Sequence, residues 1–378
     1  MVVRSEVVSA IDQAALSAAK GAAPMTGRAR LLAAARREPV DTTPVWFMRQ
    51  AGRSLPEYRA LRERYDFLTV AKTPDLCVEA TMMPVRRLGV DGAVLFADIM
   101  LPLEGMGVPF RIEPSVGPVI PDPIRTEAGI DRLRVIEAQE ATPYVFEAIR
   151  LLRRELGERA ALLGFAGAPF TLACYLVEGM SSREYPTAKA LMYGRPDLWE
   201  RLMTKLTEVV IRYLREQIAA GAEAIQLFDS WLGLLGPDAF QRFVLPSTRR
   251  IFDELRGLAP TIHFSTGTAS LLELIASAGS DLVSVDWRVR LDGAWQRIGY
   301  DRGIQGNLDP TLLLAPFDVV ADGARAVLQS AGGRPGHIFN LGHGVLPQTQ
   351  AEQLERLVEF VHAEGYARSS AGPLPDSS

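Results

Sequence analysis

The sequence predicts an α/β fold closed into a single (β/α)8 TIM barrel, with an active-site cleft at the C-terminal ends of its strands. Two observations carry that expectation. Eight short runs, most of them almost uniformly apolar, recur along the chain, each followed by a turn and then a helical pattern. Runs without a wet face are strands buried on both sides, as in a parallel sheet. The unusual polar residues also fall immediately after these runs, where barrels of this kind place their chemistry. Eight βα units with right-handed crossovers close most simply into a barrel. An open doubly wound sheet is the alternative, and no Gly-x-Gly-x-x-Gly follows an early run to favour it.

In order, the expected strands are 45–48, 93–96, 161–165, 224–228, 261–264, 282–285, 303–305 and 337–341. The seventh is the weakest, being short and half polar. Between them, Pro56 and Pro74 each open a helix at a position where proline is tolerated, the second running to about Leu88. A helical region over 131–156 is interrupted at Pro143. From 197 to 220, Leu198, Leu202, Leu206, Val209, Val210 and Tyr213 line one face of a long amphipathic helix, and Gly221 stops it. Helices over 237–258, 270–278, 318–330 and 350–364 complete the set. No linker divides this pattern, so residues 27–366 are expected to form one domain. The Ala/Ser-rich residues 1–26 and the Ser/Pro/Gly-rich residues 367–378 read as flexible tails.

Composition narrows the function. Of 378 residues, 48% are hydrophobic and 23% charged, the balance of a globular enzyme, and a net charge of -4 gives no global basic surface for nucleic acid. Two cysteines, Cys77 and Cys174, make no disulfide framework and fit a reducing compartment, and no zinc-type spacing of Cys and His occurs. No run of 18 apolar residues suggests a membrane span, and Arg4, Glu6 and Asp12 break any signal-peptide core, so the cytoplasm is expected. Lysine is scarce and absent from strand ends, which disfavours Schiff-base chemistry, and no phosphate loop is present.

The residues after the strands form a set. Arg49 and Arg53 flank Gly52 after the first; they read either as surface arginines or as two planar forks aimed at an anion. Asp98 follows the second strand and either caps the next segment or faces a ligand. Tyr175 lies beside a Gly/Ser loop, and Ser230 follows Asp229 without the elbow of a serine hydrolase. His343 stands between two glycines. Asp286 and Asn307 end further strands. His263 reads as a hydrogen-bonded core histidine, and His337 and His362 belong to no constellation. Arginines, one aspartate, a tyrosine, a serine and a histidine without a metal cage suit a polyanionic substrate whose own electronics carry the reaction.

At this point a resemblance appears. Arg49-Gln50-Ala51-Gly52-Arg53, followed by Leu55-Pro56-Glu57-Tyr58-Arg59, resembles the signature of the uroporphyrinogen decarboxylase family. Phe96-Ala97-Asp98-Ile99, the stretch from Gly164 to Tyr175, Gln305-Gly306-Asn307-Leu308-Asp309-Pro310 and Asn340-Leu341-Gly342-His343-Gly344 match further motifs in family order. Ser54 departs, since the family often carries an aromatic there. The resemblance implies a (β/α)8 barrel, a homodimer, and cofactor-free removal of carbon dioxide from the four acetate arms of uroporphyrinogen III in haem biosynthesis, giving coproporphyrinogen III. It implies Asp98 and Arg49 as catalytic residues. Substrate contacts would come from Arg49, Gln50, Ala51, Gly52, Arg53, Asp98, Tyr175, Ser230 and His343, with no metal and no cofactor. Two competing readings stand beside it. A corrinoid or thiol methyltransferase would need a zinc–thiolate site, and His263-Phe264-Ser265 lacks the cysteine. A non-catalytic tetrapyrrole-binding protein would need the arginines but not Asp98.

Overall fold

Seven parallel strands make one curled sheet in which every strand pairs with the next in the chain: β1 (Gly92–Val94), β4 (Ala161–Gly167), β5 (Ala224–Asp229), β6 (Thr261–Ser265), β7 (Leu282–Ser284), β8 (Gly303–Leu308) and β9 (His337–Leu341). A small antiparallel hairpin, β2 (Arg111–Glu113) and β3 (Gly117–Val119), is inserted after the first strand. The computed structural model describes residues 24–113 and 116–371, and only the backbone of 366–371. Residues 1–23 and 372–378 of the expected tails lie outside the described residues, and the last helix, Ala351–Ala371, runs five residues into the expected C-terminal tail. Among the described residues, no helix is long and apolar enough to cross a membrane.

Helices cover the outside of the sheet. Pro74–Leu88 and Pro196–Ala220 begin and end within a residue of their expected limits, the latter stopping at Gly221 with φ +121°. The region around Pro143 breaks into Glu127–Arg132, Ala138–Ala141 and Pro143–Leu156. The expected 237–258 helix divides at Val244 into Pro237–Phe243 and Leu245–Leu255. Proline in the first turn of Pro143–Leu156 and of Leu245–Leu255 explains the breaks before those two helices, because it opens a helix more readily than it continues one.

The strand expected over 45–48 is reduced to a single parallel bridge between Val45 and Phe339 of β9. Side chains take the bonds that a longer ladder would have used. Val45 N–H donates to Asp91 Oδ2 (2.8 Å), Phe47 N–H to Gln50 Oε1 (3.0 Å) and Met48 N–H to Asn340 Oδ1 (3.2 Å). The segment still touches both edges of the sheet. Phe339 N–H donates to the Pro44 carbonyl (2.9 Å) on one side, and Asp91 N–H to the Val45 carbonyl (2.8 Å) on the other. Asp91 anchors the same end through its side chain, taking Arg30 Nη1 at 2.6 Å and lying 2.8 Å from His362 Nε2.

The weakest expected strand proved one of the longer ones. Gln305, its polar centre, is fully buried: its Nε2 donates to Gln226 Oε1 and Ser284 Oγ (both 2.9 Å), and its Oε1 accepts from Trp46 Nε1 (3.0 Å). A polar side chain inside a sheet is tolerated when its hydrogen bonds are met. These four residues share the concave face, and strand alternation then puts Phe228, Phe264, Asp286 and Asn307 on that face too.

Candidate active site

The candidate site begins where the chain turns at Arg49. Arg49 adopts a left-handed conformation (φ +59°), unusual for a residue with a Cβ, so the loop reverses within one residue and its side chain leaves the apolar run exposed. Gln50 holds this turn. It is fully buried, accepts from Phe47 N–H and donates to the Gly92 carbonyl (2.9 Å), tying the loop to β1. Gly52 is required by a close approach, because a Cβ there would stand 2.6 Å from the Arg49 carbonyl oxygen. Ala51 packs half-buried against the core. Arg53 is exposed, and Arg59 Nη1 donates to its carbonyl at 2.7 Å. Neither the Arg49 nor the Arg53 guanidinium makes a hydrogen bond or ion pair within the described residues. Ser54, the departure from the family pattern, is buried.

Asp98 follows β1 at the same end. Its Oδ1 accepts from Met100 N–H (2.8 Å), an Asx-type turn that fixes the carboxylate while the second oxygen stays available. Burial pushes this carboxyl above the usual carboxylate range, opposed by the Met100 N–H and by the Arg49 charge. Desolvation thus dominates in the free protein, and a ligand bringing N–H donors would favour the ionised form.

Tyr175 sits on the helix Pro169–Glu178 in a cluster with Tyr185 and Trp231, ring centroids 6.0 Å away in each case. Burial raises its hydroxyl pKa, and the nearby Asp98 charge adds to the effect. Tyr185 is fully buried in a left-handed conformation (φ +46°), and Glu178 clamps the segment beyond it by accepting from Thr187 N–H (3.1 Å) and Ala188 N–H (3.3 Å). Ser230 follows β5 and is half-buried. Its neighbour Asp229 points the other way, into the helical layer, where its Oδ1 accepts from Thr171 Oγ1 (3.0 Å) and its Oδ2 lies 3.8 Å from His263 Nε2. His263 therefore packs in the core, against Phe252, but the hydrogen bonds expected of it are not made: neither ring nitrogen has a hydrogen-bond partner within the described residues.

His343 is held by the glycines on either side. A Cβ on Gly342 would collide with the Trp287 backbone nitrogen, and one on Gly344 would stand 2.5 Å from Arg49 Cδ. The imidazole is pushed down to about 4, by burial first and then by the Arg49 and Arg288 charges, with Asp286 opposing. It is neutral at pH 7. Asn307 donates to the Asp286 carbonyl (2.9 Å) and the Val289 carbonyl (2.8 Å), shaping the loop that meets Gly342.

Arg49, Asp98 and His343, distant in sequence, are thus brought within electrostatic reach, with Tyr175 close to Asp98. Arg53 and Gln50 stand apart, one exposed and one internal. Sequence reasoning missed an aromatic row along adjacent strands β4, β5 and β6, Phe165–Phe228 (5.3 Å) and Phe228–Phe264 (5.5 Å), which reaches the turn after β9 through Phe264–His343 (6.1 Å between centroids). The available signal was a phenylalanine just before the polar strand end, in Phe228-Asp229-Ser230 and Phe264-Ser265.

Comparison with known proteins adds the following. The model of the family described as uroporphyrinogen decarboxylase matches residues 26–364. The chain is similar to a protein named uroporphyrinogen decarboxylase from Sorangium cellulosum, 55% identical over 348 residues, 92% of this chain and 99% of the relative. A protein of the same name from Carboxydothermus hydrogenoformans is 53% identical over 332 residues, 88% of this chain and 95% of the relative. Among solved structures, a methyltransferase from Methanosarcina mazei shares the fold, with a TM-score of 0.73 at 23% identity, covering 89% of this chain and 98% of that one.

Proposed function

The chain belongs to the uroporphyrinogen decarboxylase family, and from that premise we propose that it converts uroporphyrinogen III to coproporphyrinogen III by removing four carboxyl groups. The observation that carries this reading is the grouping of a fixed Asp98 carboxylate with Arg49 and a neutral His343 at one end of the sheet. We read the seven strands and the bridge at Val45 as a (β/α)8 barrel, and the cleft as its mouth.

The chemistry follows from the substrate. Protonation of an electron-rich pyrrole carbon makes a ring cation. The bond between the acetate methylene and its carboxylate then breaks, its electron pair flows into the ring, and carbon dioxide leaves. A second proton on the exocyclic methylene gives the methyl group, and loss of the first restores the ring. Each turn exchanges one carbon dioxide for one proton. Asp98, ionised by the pyrrole N–H groups donating to it, stabilises the ring cation through a field fixed before the reaction begins. Arg49 and Arg53 grip acid arms by charge-assisted bonds. Tyr175, Ser230 and His343 contact the arms or the rim, His343 as a neutral partner. Gln50, Ala51 and Gly52 shape the loop that presents the arginines. The ring supplies its own electron sink, so the reaction as written needs no metal or organic cofactor. A homodimer working in the cytoplasm on a small molecule, with no nucleic-acid partner, completes the reading.

Anaerobic incubation with uroporphyrinogen III tests it. Products with seven, six, five and finally four carboxylates are expected. Tight binding without loss of carboxylates would favour the carrier reading instead.

A further inference from the structure

We infer that Arg288, stacked on Trp287 beside His343, is a third guanidinium anchor for a carboxylate arm of the substrate; this rests on the activity proposed above. The turn carrying His343 is confined on both sides. On the Gly344 side lies the Arg49 side chain, and on the Gly342 side lies Trp287, whose Cε3 would stand 2.9 Å from an added Cβ. Arg288 is the next residue. His343 is therefore bracketed by two cations contributed by different loops, and both act on its imidazole.

The Arg288 guanidinium is held but not used up. Its Nη1 donates to Asp286 Oδ2 (2.6 Å), while Asp286 Oδ1 takes the Arg288 backbone N–H (2.9 Å). The guanidinium carbon lies 4.2 Å from the centroid of the Trp287 ring. Asp286 is itself buried and also accepts from Gly267 N–H (2.6 Å), so the support is rigid. Cation–π stacking and one charged bond fix the plane of the fork. A guanidinium carries five N–H donors, and only this one has a partner within the described residues. The side chain is 54% exposed. Arg290, two residues on, makes the contrast. Its Nε and Nη2 close on both oxygens of Asp292 (3.1 and 2.6 Å), so its charge is already answered by a two-point ion pair. The two arginines of the first loop are few for an eight-carboxylate substrate, and Arg288 offers a pre-oriented site on the other side of His343.

Two measurements separate this inference from the reading beneath it. Wild-type turnover tests the activity. The anchor is tested by calorimetric binding of uroporphyrinogen III to Asp98→Asn protein, with and without Arg288→Gln. Arg288→Gln is expected to weaken binding about tenfold, the scale of one partly exposed charged hydrogen bond, and to flatten the dependence of affinity on salt. In the wild-type background it should raise KM with kcat nearly unchanged. Arg288→Lys should recover part of the loss, and Arg290→Gln should match the parent. Unchanged affinity in Arg288→Gln would overturn the inference. So would a fall in kcat and melting temperature with KM unmoved, because that pattern belongs to a residue that only supports its loop.

Discussion

The Arg49 side chain lies directly against Gly344: a Cβ added to the glycine would stand 2.5 Å from Arg49 Cδ and 2.8 Å from Cγ. These atoms are near the root of the side chain, so it cannot evade the contact by swinging its tip. Gly344→Ala is therefore expected to displace the guanidinium while leaving the fold intact. We expect kcat/KM to fall at least about tenfold, since misplacing a positioned group by an ångström is costly, with an unchanged circular dichroism spectrum. Wild-type kinetics in a well-folded Gly344→Ala protein would remove Arg49 from the catalytic assignment.

Asp98→Asn should lose most turnover, on the order of a hundredfold or more in kcat, the scale of losing a preorganised charge. The amide oxygen can still accept from Met100 N–H, so the turn survives. The stability change has a definite sign. Burial raises the folded-state pKa of this carboxyl. The stability that this shift contributes is present below the unfolded pKa and is lost as pH rises through the folded one. Asparagine stays neutral, so at pH 7 the variant should melt at or above the wild-type temperature. A lowered melting temperature with retained activity would contradict both assignments.

For the arm-gripping role, Arg53→Ala should raise KM several-fold with little change in kcat. Arg256→Ala is the control, just past the helix Leu245–Leu255 that leads into β6, at the end of the sheet away from the candidate site, and within the described residues its ion pair is with Asp253. Equal KM values for the two variants would remove Arg53 from the clamp.

Acid should destabilise the protein through two histidines. His337, buried with its Nε2 3.0 Å from the Gly306 carbonyl, is pushed down to about 4 by burial; His343 is also at about 4. A depressed histidine contributes stability that is present above the unfolded value near 6.5 and is lost as pH falls through 4. Each shift corresponds to about 3 kcal/mol at most, less at the partly exposed His343. Urea unfolding between pH 7 and pH 4 should show the loss, and His337→Gln should flatten it. A pH-independent wild-type midpoint over this range would refute the linkage.

Much of this architecture was legible because it rests on local chemistry. Uniformly apolar runs reported strands buried on both faces, and Gly221 and the N-terminal prolines marked helix limits. What failed to show were features where one side chain answers another far away. His362 had no constellation in the sequence because its partner, Asp91, is 271 residues distant. The run over 45–48 read as a strand because composition cannot reveal that Asp91, Gln50 and Asn340 intercept its N–H groups. The run at 303–305 read as weak because Gln305 looks solvent-directed until Trp46, Gln226 and Ser284 meet it.

The sequence alone determined the α/β class and the family, and it proposed the inventory of the candidate site: the arginines of the first loop, Asp98, Tyr175, Ser230 and His343. Residue type and spacing carry that information, because burial pattern and acid–base character are properties of the chain itself. Only the tertiary structure decided direction and neighbourhood. Strand pleating turned Asp229 toward Thr171 and His263, and packing buried Gln50 as a tie to β1. Two glycines let the His343 turn fit between Arg49 and Trp287. Those outcomes depend on which surfaces meet when the sheet curls, and no local pattern encodes the distance between residues that only folding brings together.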